Sequence, residues 1–320
     1  MAENVASKFD LAVLGADDPL GEAVLRLLAE REVAVGTLFP LTLGDAEATT
    51  SFSGQDWPCI AAADFDFTQA QALIVVNRAP AAQRLVARAV SVRPAMPVVG
   101  IEGAVDRSGT RIEPAAAVAV ARVLASIDAL GGLDSADAFV ALSVAIAGKA
   151  GVDELSNQTR GLFNLDSPEP EVFPLQIAFN LMPLADPGHD ATLADATERL
   201  LGKSVDVSYS TIQAPLFFGA AVMLHVRTAR PVAADALRLA LQRGEGITLM
   251  EADIPAGMPT PATDAADSDD VFVGRIQSER RGGKNSLRLW LVFDPMRLEA
   301  AQIVGVVENW IDKPTNSMLT

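Results

Sequence analysis

The chain has 320 residues, enough for two domains of ordinary size with large buried cores. Half of the residues are apolar and 21% are charged, which excludes global disorder. The 41 acidic and 25 basic residues give a formal charge of −16, so nucleic acid and anionic membrane surfaces would repel the chain. No apolar run reaches the roughly 18 to 20 residues of a membrane span, and we do not expect the polar start MAENVASKFD to be a signal peptide. We therefore expect a cytoplasmic protein that binds neither nucleic acid nor membrane.

The first hundred residues alternate between strand-like and helix-like segments, as in a doubly wound α/β domain with a parallel sheet. Residues 9–15 predict a buried strand that ends in glycine, and residues 19–31 carry apolar side chains at helical spacing. A further parallel crossover is predicted by two strands and the helix between them, at 72–76, 97–101 and 80–92. We predict a Rossmann-like, nucleotide-binding-like domain over residues 1–114.

The pattern changes near Pro114. An alanine-rich helix from Ala115 to about Leu130 precedes segments in which polar and apolar residues alternate. These segments are 204–213, 219–228 and a late strand with Leu287, Leu289, Leu291 and Phe293 on one face. They predict a second, mostly antiparallel α+β domain over residues 115–295.

Two more segments complete the second half. The stretch 254–270 is rich in Pro, Thr, Ala and Asp and predicts a long surface loop. Residues 296–310 predict a final helix, and we expect residues 296–320 to pack back on the first domain. Because the apolar face of the late strand needs a cover, we expect a symmetric homodimer to bury it.

Several motifs of the second domain have a counterpart in a known family. Residues 148–180 read GKAGVDELSNQTRGLFNLDSPEPEVFPLQIAFN, and QAPLFFG, VFVGRI and LWLVFDPMRLEAA follow at 213–219, 271–276 and 289–301. In order and approximate spacing these motifs resemble the aspartate-β-semialdehyde dehydrogenase family. The sequences IQAPLFFG and ALSVA are most similar to those of the divergent Usg-like subgroup of this family. The resemblance implies NADP-dependent reductive dephosphorylation of an aspartyl phosphate through a thioester, in a homodimer.

That chemistry requires polar groups that this sequence lacks at the corresponding positions. The resemblance puts Ala116 where the family has its cysteine nucleophile and Ala220 where it has its histidine acid/base. Leu142 stands at the position of the family's glutamine, and Gln213 at that of the arginine that grips the substrate carboxylate. The family's Glu-x-x-Lys pair falls near 190–192, where Thr192 has no positive charge. We therefore expect no catalysis by the family's route.

The remaining cysteine and histidines do not supply replacements. Cys59 is the only cysteine, so no intrachain disulfide or thiolate metal cage forms, and we expect an inert side chain in the first domain. His189 lies in the loop DPGHD. His225 lies five residues past Ala220, an odd offset that predicts the opposite face of the strand. We expect no metal site.

The glycine loop after the first strand also departs from the family's GATGxxG-type turn, since it reads Gly15-Ala16-Asp17-Asp18-Pro19-Leu20-Gly21. Asp17 and Asp18 suit a helix N-terminus, where carboxylates interact well with the helix dipole. The same carboxylates would repel a bound pyrophosphate. The loop is therefore expected to be a vestige of a cofactor site.

Other charged residues fit NADP poorly. Asp45 and Glu47 lie in the segment that would hold its 2′-phosphate, where a carboxylate suits only the ribose of NAD. Arg107 and Arg111 lie in a segment too short to contain the family's phosphate-binding arginine region. We expect no cofactor, with NAD or NADP as the alternative.

Two hypotheses for function follow. The first is a catalytically degenerate relative, a pseudoenzyme that acts as a homodimeric binding or scaffold protein, with or without another protein as partner. The alternative is an NAD(P)-dependent oxidoreductase with altered chemistry on an aldehyde or acyl substrate. In that case Lys149, Asp153 and Arg160 would be the polar groups nearest the former substrate cleft.

Overall fold

The computed structural model describes residues 9–44, 47–105, 109–166, 169–186, 188–250, 258–281 and 284–312. The chain divides into two compact units, one formed by residues 1–113 with 299–320 and the other by residues 114–298. Within the described ranges, none of the helices has the length and apolar character that crossing a membrane requires.

The first unit contains a parallel sheet of six described strands in the order β5-β2-β1-β6-β7-β8. Its elements in chain order are β1 (Phe9–Leu14), α1 (Pro19–Glu30), β2 (Val35–Thr42), a hairpin of β3 (Thr49–Phe52) and β4 (Gln55–Pro58), β5 (Ile60–Ala61), β6 (Ala72–Val75), α2 (Pro80–Val92), β7 (Val98–Gly100) and β8 (Thr110–Arg111). The central strand β1 is fully buried from Leu11 to Leu14, as its continuous apolar run requires when both faces of a sheet are covered.

The second unit is built on a mixed sheet of seven described strands in the order β10-β11-β9-β12-β15-β14-β13. Four of its six strand pairs are antiparallel, so the predicted fold class is confirmed. The elements are α3 (Ala115–Gly131), β9 (Leu133–Leu142), α4 (Gly148–Phe163), β10 (Met182–Pro183), α5 (His189–Leu201), β11 (Asp206–Gln213), β12 (Ala220–Thr228), α6 (Ala234–Leu241), β13 (Ile247–Leu249), β14 (Val271–Arg281), β15 (Lys284–Phe293) and the first residues of α7 (Pro295–Asp312).

The later part of α7 belongs to the first unit, where it forms hydrogen bonds with the short segment that follows β8. Gln302 exchanges two hydrogen bonds with the backbone of Glu113: its Nε2 donates to the carbonyl oxygen (2.9 Å), and its Oε1 accepts from the amide (3.0 Å). Arg31 in the same unit forms an exposed ion pair with Glu308 (3.5 Å). Both contacts join sequence segments that are far apart in the chain.

The apolar face of β15 lies inside the protomer, which corrects one expectation. Leu287, Leu289, Leu291 and Phe293 are each at most 1% exposed and belong to one core with residues of α3, α5 and α6. Helices of the same chain therefore cover this face, and it cannot be the dimer surface. The alternation along the late strand correctly predicts its two faces. It does not predict which layer covers the apolar face, because periodicity carries no information about the neighbouring layer.

The segment expected to be a long surface loop contributes to a core. Residues 251–257 lie outside the described residues, and in the remainder a π-helical turn spans Pro261–Ala265. Ala265 is fully buried against Ala221 and Val292, and Trp290 Nε1 donates to the Pro259 carbonyl oxygen (2.7 Å). Most of the described residues of this segment are exposed or half-buried, as expected for a surface loop, whereas the buried Ala265 covers one region of the sheet's outer face.

Candidate functional site

Three of the positions at which the resemblance predicts lost catalytic groups lie side by side at one end of the mixed sheet. Leu142 ends β9, where it pairs with Gln213 of the parallel strand β11 and with Ala220 of the antiparallel strand β12. Because β9 lies between these two strands, the end of one strand, the end of the second and the start of the third meet in one row. The positions lie together although Leu142 and Ala220 are 78 residues apart in sequence.

This row is packed as a core. Ala116, in the first turn of α3, belongs to the same buried apolar cluster as Leu142 and Ala220, and none of the three is more than 4% exposed. The one polar member, Gln213, is 2% exposed, and its Nε2 donates to the Leu142 carbonyl oxygen (3.0 Å). None of the four side chains is able to act as a nucleophile or to transfer a proton at neutral pH.

The backbone turn before Ala220 is tightly constrained. Gly219 has φ +80°, and a Cβ there would lie 2.7 Å from the carbonyl oxygen of Pro261. Only glycine fits this combination of a positive φ and a close backbone approach. The turn therefore keeps a specific shape although the residue that follows it has no functional group.

The histidines do not join this row. His225 lies on the outer face of β12 with Met223 and Arg227, whereas Ala220 faces the core, as the odd offset predicted. His189 is the first residue of α5, and the neighbouring Asp190 accepts a hydrogen bond from Thr211 Oγ1 (2.6 Å). That carboxylate joins α5 to β11, which is a structural contact.

The motif helix α4 presents two different faces. Lys149 and Asp153 form an exposed ion pair (2.5 Å), and Arg160 reaches the side-chain oxygen of Asn157 (2.7 Å). Pairs of this kind on a solvated helix face contribute little to stability. The three residues named for the alternative function are thus not directed into the buried row that contains Leu142 and Gln213.

The buried face of α4 carries two functional groups that sequence reasoning missed. Glu154 accepts from the amides of Glu171 (3.0 Å) and Val172, and Gln158 Oε1 accepts from the amides of Ile177 (2.8 Å) and Ala178 (3.1 Å). Gln158 Nε2 also donates to Glu154 (2.9 Å). The spacing of four residues between the two side chains is the signal that places them on one helix face. They hold the EPEVFP–QIAFN segment in place.

The glycine loop of the first unit keeps its tight geometry. Gly15 has φ +93°, and a Cβ at Gly21 would lie 2.0 Å from the Gly15 carbonyl oxygen. The amides of Gly15 and Ala16 both donate to the Leu41 carbonyl oxygen (2.9 and 3.1 Å). These amides are therefore directed to the neighbouring strand.

The loop carboxylates have partners of their own. Asp17 accepts from Thr42 Oγ1 (2.8 Å), and Asp18 accepts from Asn77 Nδ2 (2.7 Å). Asp18 is the N-cap residue of α1, at the helix N-terminus where the sequence predicts it, although its side chain makes no capping hydrogen bond. Pro19 follows at the first helical position and has no N–H to donate. Anion sites at helix N-termini use such N–H groups, so this loop fits a pyrophosphate poorly.

The other charged residues that the sequence analysis considered for NADP binding do not come together in the described structure. Asp45 and Arg107 lie outside the described residues. Glu47 is exposed, and Arg111 forms an ion pair with Glu102 (2.9 Å). The described members of this group therefore do not form an anion clamp with one another.

Cys59 is buried, 6% exposed, between β4 and β5. Burial, together with the nearby carboxylates of Asp17 and Glu22, raises the pKa of its thiol from the ordinary 9.0 to about 11. The thiolate is the reactive form of cysteine. The pKa shift is therefore opposite to that of an activated nucleophile.

We expect the native protein to resist thiol alkylation. At pH 8 a thiol of pKa 11 has about 100-fold less thiolate than one of pKa 9, so iodoacetamide should modify Cys59 at least about 100-fold more slowly than in the unfolded chain. Mass spectrometry over time, with and without guanidinium chloride, measures both rates. Equal rates would show that the side chain is accessible and unperturbed.

Comparison with known proteins agrees with the fold and the motifs. The family model "Semialdehyde dehydrogenase, dimerisation domain" matches residues 125–298. An aspartate-semialdehyde dehydrogenase of Shewanella violacea is 26% identical, over 93% of this chain and 96% of its own. A USG-1 protein homolog of Azotobacter vinelandii is 30% identical, over 91% and 94%. The crystal structure of aspartate semialdehyde dehydrogenase II from Vibrio cholerae, complexed with ASA, superposes with a TM-score of 0.84 at 25% identity, over 96% and 99%.

The fold thus defines a two-unit α/β protein of the dehydrogenase type, with a parallel sheet in one unit and a mixed sheet in the other. The matched family model covers more than half of the chain. The chain belongs to the semialdehyde dehydrogenase family.

Proposed function

We propose that this protein is a catalytically degenerate member of its family, a pseudoenzyme that works as a homodimeric binding or scaffold protein. The observation that carries the proposal is the buried apolar packing of Ala116, Leu142 and Ala220 in one cluster. Loss of one member of a covalent catalytic unit costs roughly six decades in rate. Here the positions of the nucleophile, the base and the glutamine have lost their functional groups together.

The same proposal includes the absence of a dinucleotide cofactor. Asp17 and Asp18 occupy the turn on which the family's pyrophosphate would lie, and Pro19 removes one backbone donor. Two like charges about 4 to 5 Å apart cost roughly 3 to 4 kcal/mol at an effective dielectric near 20, before relaxation. Two such repulsions would lower the affinity by several decades.

The test is an assay with aspartate semialdehyde, NADP and inorganic phosphate, in which NADPH is followed by its absorbance. We expect a rate equal to the protein-free blank, because the chain has no group to form the thioester. The Shewanella violacea relative, assayed in parallel, is the positive control. Turnover above the blank would overturn the proposal, and replacement of Cys59 by alanine would then show whether this thiol or another group is responsible.

A thermal-shift titration with NAD and NADP tests the cofactor part separately. A ligand that binds the native state must raise the melting temperature. We expect no shift up to millimolar nucleotide, whereas the Shewanella relative should respond to NADP. A rise that saturates below millimolar concentration would favour the alternative, an oxidoreductase with altered chemistry.

The dimer part of the proposal is supported by the family match and by the outer face of the mixed sheet. Phe139 of β9 is 47% exposed there, next to Met223 of β12 in register. The opposite face is covered by helices of the same chain, so of the two faces of the described sheet the outer one is open to a partner subunit. Residues 258–270 cover part of this face and leave the β9 and β11 region open.

A second exposed apolar patch supports a binding role. The rings of Phe163 and Phe179 pack edge to face, with centroids 5.9 Å apart, although both side chains are mostly exposed. Leu165, Leu175 and Leu181 in the same region are also exposed. Exposed apolar side chains that lie together, as these two rings do, are typical of interaction sites.

A further inference from the structure

The far end of the mixed sheet carries a pocket that the family's chemistry does not use. A cavity of about 260 Å³ is lined by residues of β12, β14, β15 and the turn after β12: Thr228, Pro231, Val232, Ser278, Glu279, Arg280, Asn285, Ser286 and Leu287. Strand β12 begins at Ala220, in the row that contains Leu142 and Gln213, and ends at Thr228, which lines the pocket. Eight residue steps of about 3.4 Å separate the two sites by roughly 27 Å.

The polar groups of the pocket converge in one row of the sheet. Asn285 of β15 pairs with Arg280 of β14 on one side and with Thr228 of β12 on the other. Directly opposed side chains in a sheet have Cβ atoms about 4.5 to 5.5 Å apart. A guanidinium and a carboxamide at that separation are able to donate hydrogen bonds to one oxyanion group.

Arg280 is the available cation of this pocket. Its guanidinium makes no hydrogen bond or ion pair with any residue in the described part of the chain. The one carboxylate of the lining, Glu279, forms an ion pair with Arg288 instead. The neighbouring negative charge is therefore already compensated and does not neutralise Arg280.

The surrounding sequence has the opposite charge to the rest of the chain. Residues 275–288 contain five basic residues and one acidic residue, a net charge of +4 in a chain of net charge −16. The apolar residues of the lining are Pro231, which is exposed, and Val232 and Leu287, which are buried. A local cationic group beside an apolar wall attracts an anion with an apolar stem better than it attracts a free inorganic ion.

We propose that this pocket binds a small organic anion, with a phosphate monoester or carboxylate head held by Arg280 and Asn285 and a short apolar stem against Pro231. The cavity lies just below the roughly 300 to 1,000 Å³ of typical small-molecule sites, which limits the ligand to a small metabolite. This inference is independent of the proposed loss of catalysis, because it concerns the other end of the sheet.

Phenyl phosphate is the first probe, with phenylacetate for the carboxylate class, inorganic phosphate for the head alone and benzyl alcohol for the stem alone. Ligand-observed NMR and calorimetry on the full chain, at constant ionic strength, give the affinities. We expect phenyl phosphate or phenylacetate to bind about tenfold more tightly than inorganic phosphate, because the ring is buried on the apolar wall. Equal affinities of the organic and inorganic anions, or no saturable binding at about 10 mM, would overturn the proposal.

Matched variants distinguish the pocket from general electrostatics. Arg280→Gln should weaken the tighter organic anion about tenfold, and Asn285→Ala should weaken it a few-fold. Arg275→Gln removes the same charge from the same strand outside the pocket and should change the affinity less than about twofold. Both arginines are exposed, so the variants should keep the wild-type melting temperature. Equal effects of the two arginine variants would contradict a specific site.

Discussion

Replacing Glu154 by alanine should lower the free energy of unfolding of the second unit by about 3 kcal/mol or more. The carboxylate is 8% exposed and accepts from the amides of Glu171 and Val172 and from Gln158 Nε2. The Phe173 amide is directed to the same group at 3.5 Å. Removing the acceptor leaves several buried donors without a partner, and each costs about 1 to 3 kcal/mol.

Urea unfolding and hydrogen exchange measure this effect together. Exchange of the amides at 171–173 should accelerate most, because they lose their acceptor directly. Glu154→Gln should also destabilise, since both carboxylate oxygens act as acceptors and an amide nitrogen would face an N–H donor. Asp153→Asn, on the exposed face of the same helix, is the matched control and should cost less than about 0.5 kcal/mol. Equal stability of the Glu154 and Asp153 variants would contradict the buried role of the carboxylate.

The regular elements followed from the sequence wherever local pattern and tertiary packing agree. The helix predicted at 80–92 is α2, Pro80–Val92, because its apolar spacing and its proline at the start both act locally. The strand predicted from 204 begins later, at Asp206. Glu198 at the end of α5 accepts from Ser204 Oγ and from the Val205 amide (both 2.8 Å), so the chain is still tied to the helix there.

The candidate site was less accessible to sequence reasoning from the residues alone. Leu142, Gln213 and Ala220 meet only because β9 lies between β11 and β12, an order that spacing does not reveal. The family resemblance supplied the positions, and the register then brought them into one row. The sequence gives the type of residue at each position, but it does not predict which residues lie next to it in the sheet.

The loop carboxylates illustrate a second limit. The sequence places Asp17 and Asp18 at a helix N-terminus, where carboxylates interact with the helix dipole. Their hydrogen-bond partners, Thr42 and Asn77, are 25 and 59 residues further along and come from neighbouring strand ends. Composition and local pattern give no sign of these long-range hydrogen bonds. The same holds for β15, where the alternation of polar and apolar residues defines two faces without showing which one the helices cover.

Replacing Phe139 by aspartate should dissociate the proposed dimer. Phe139 lies on the outer face of β9, between Ser210 of β11 and Met223 of β12 in register. In a symmetric dimer every substitution occurs twice at one interface, so two buried carboxylates would be introduced. Burial of an unpaired charge is costly, and we expect dimerisation to weaken at least about 100-fold.

Light scattering at micromolar concentration measures the result, with wild type expected at twice 33.6 kDa and Phe139→Asp at 33.6 kDa. Leu239→Asp is the matched control, because Leu239 is 57% exposed on α6, which packs against the opposite face of the sheet. That variant should remain dimeric, since its new charge stays in water. Dissociation by Leu239→Asp alone would place the interface on the helical layer, and a monomeric wild type would refute the dimer itself.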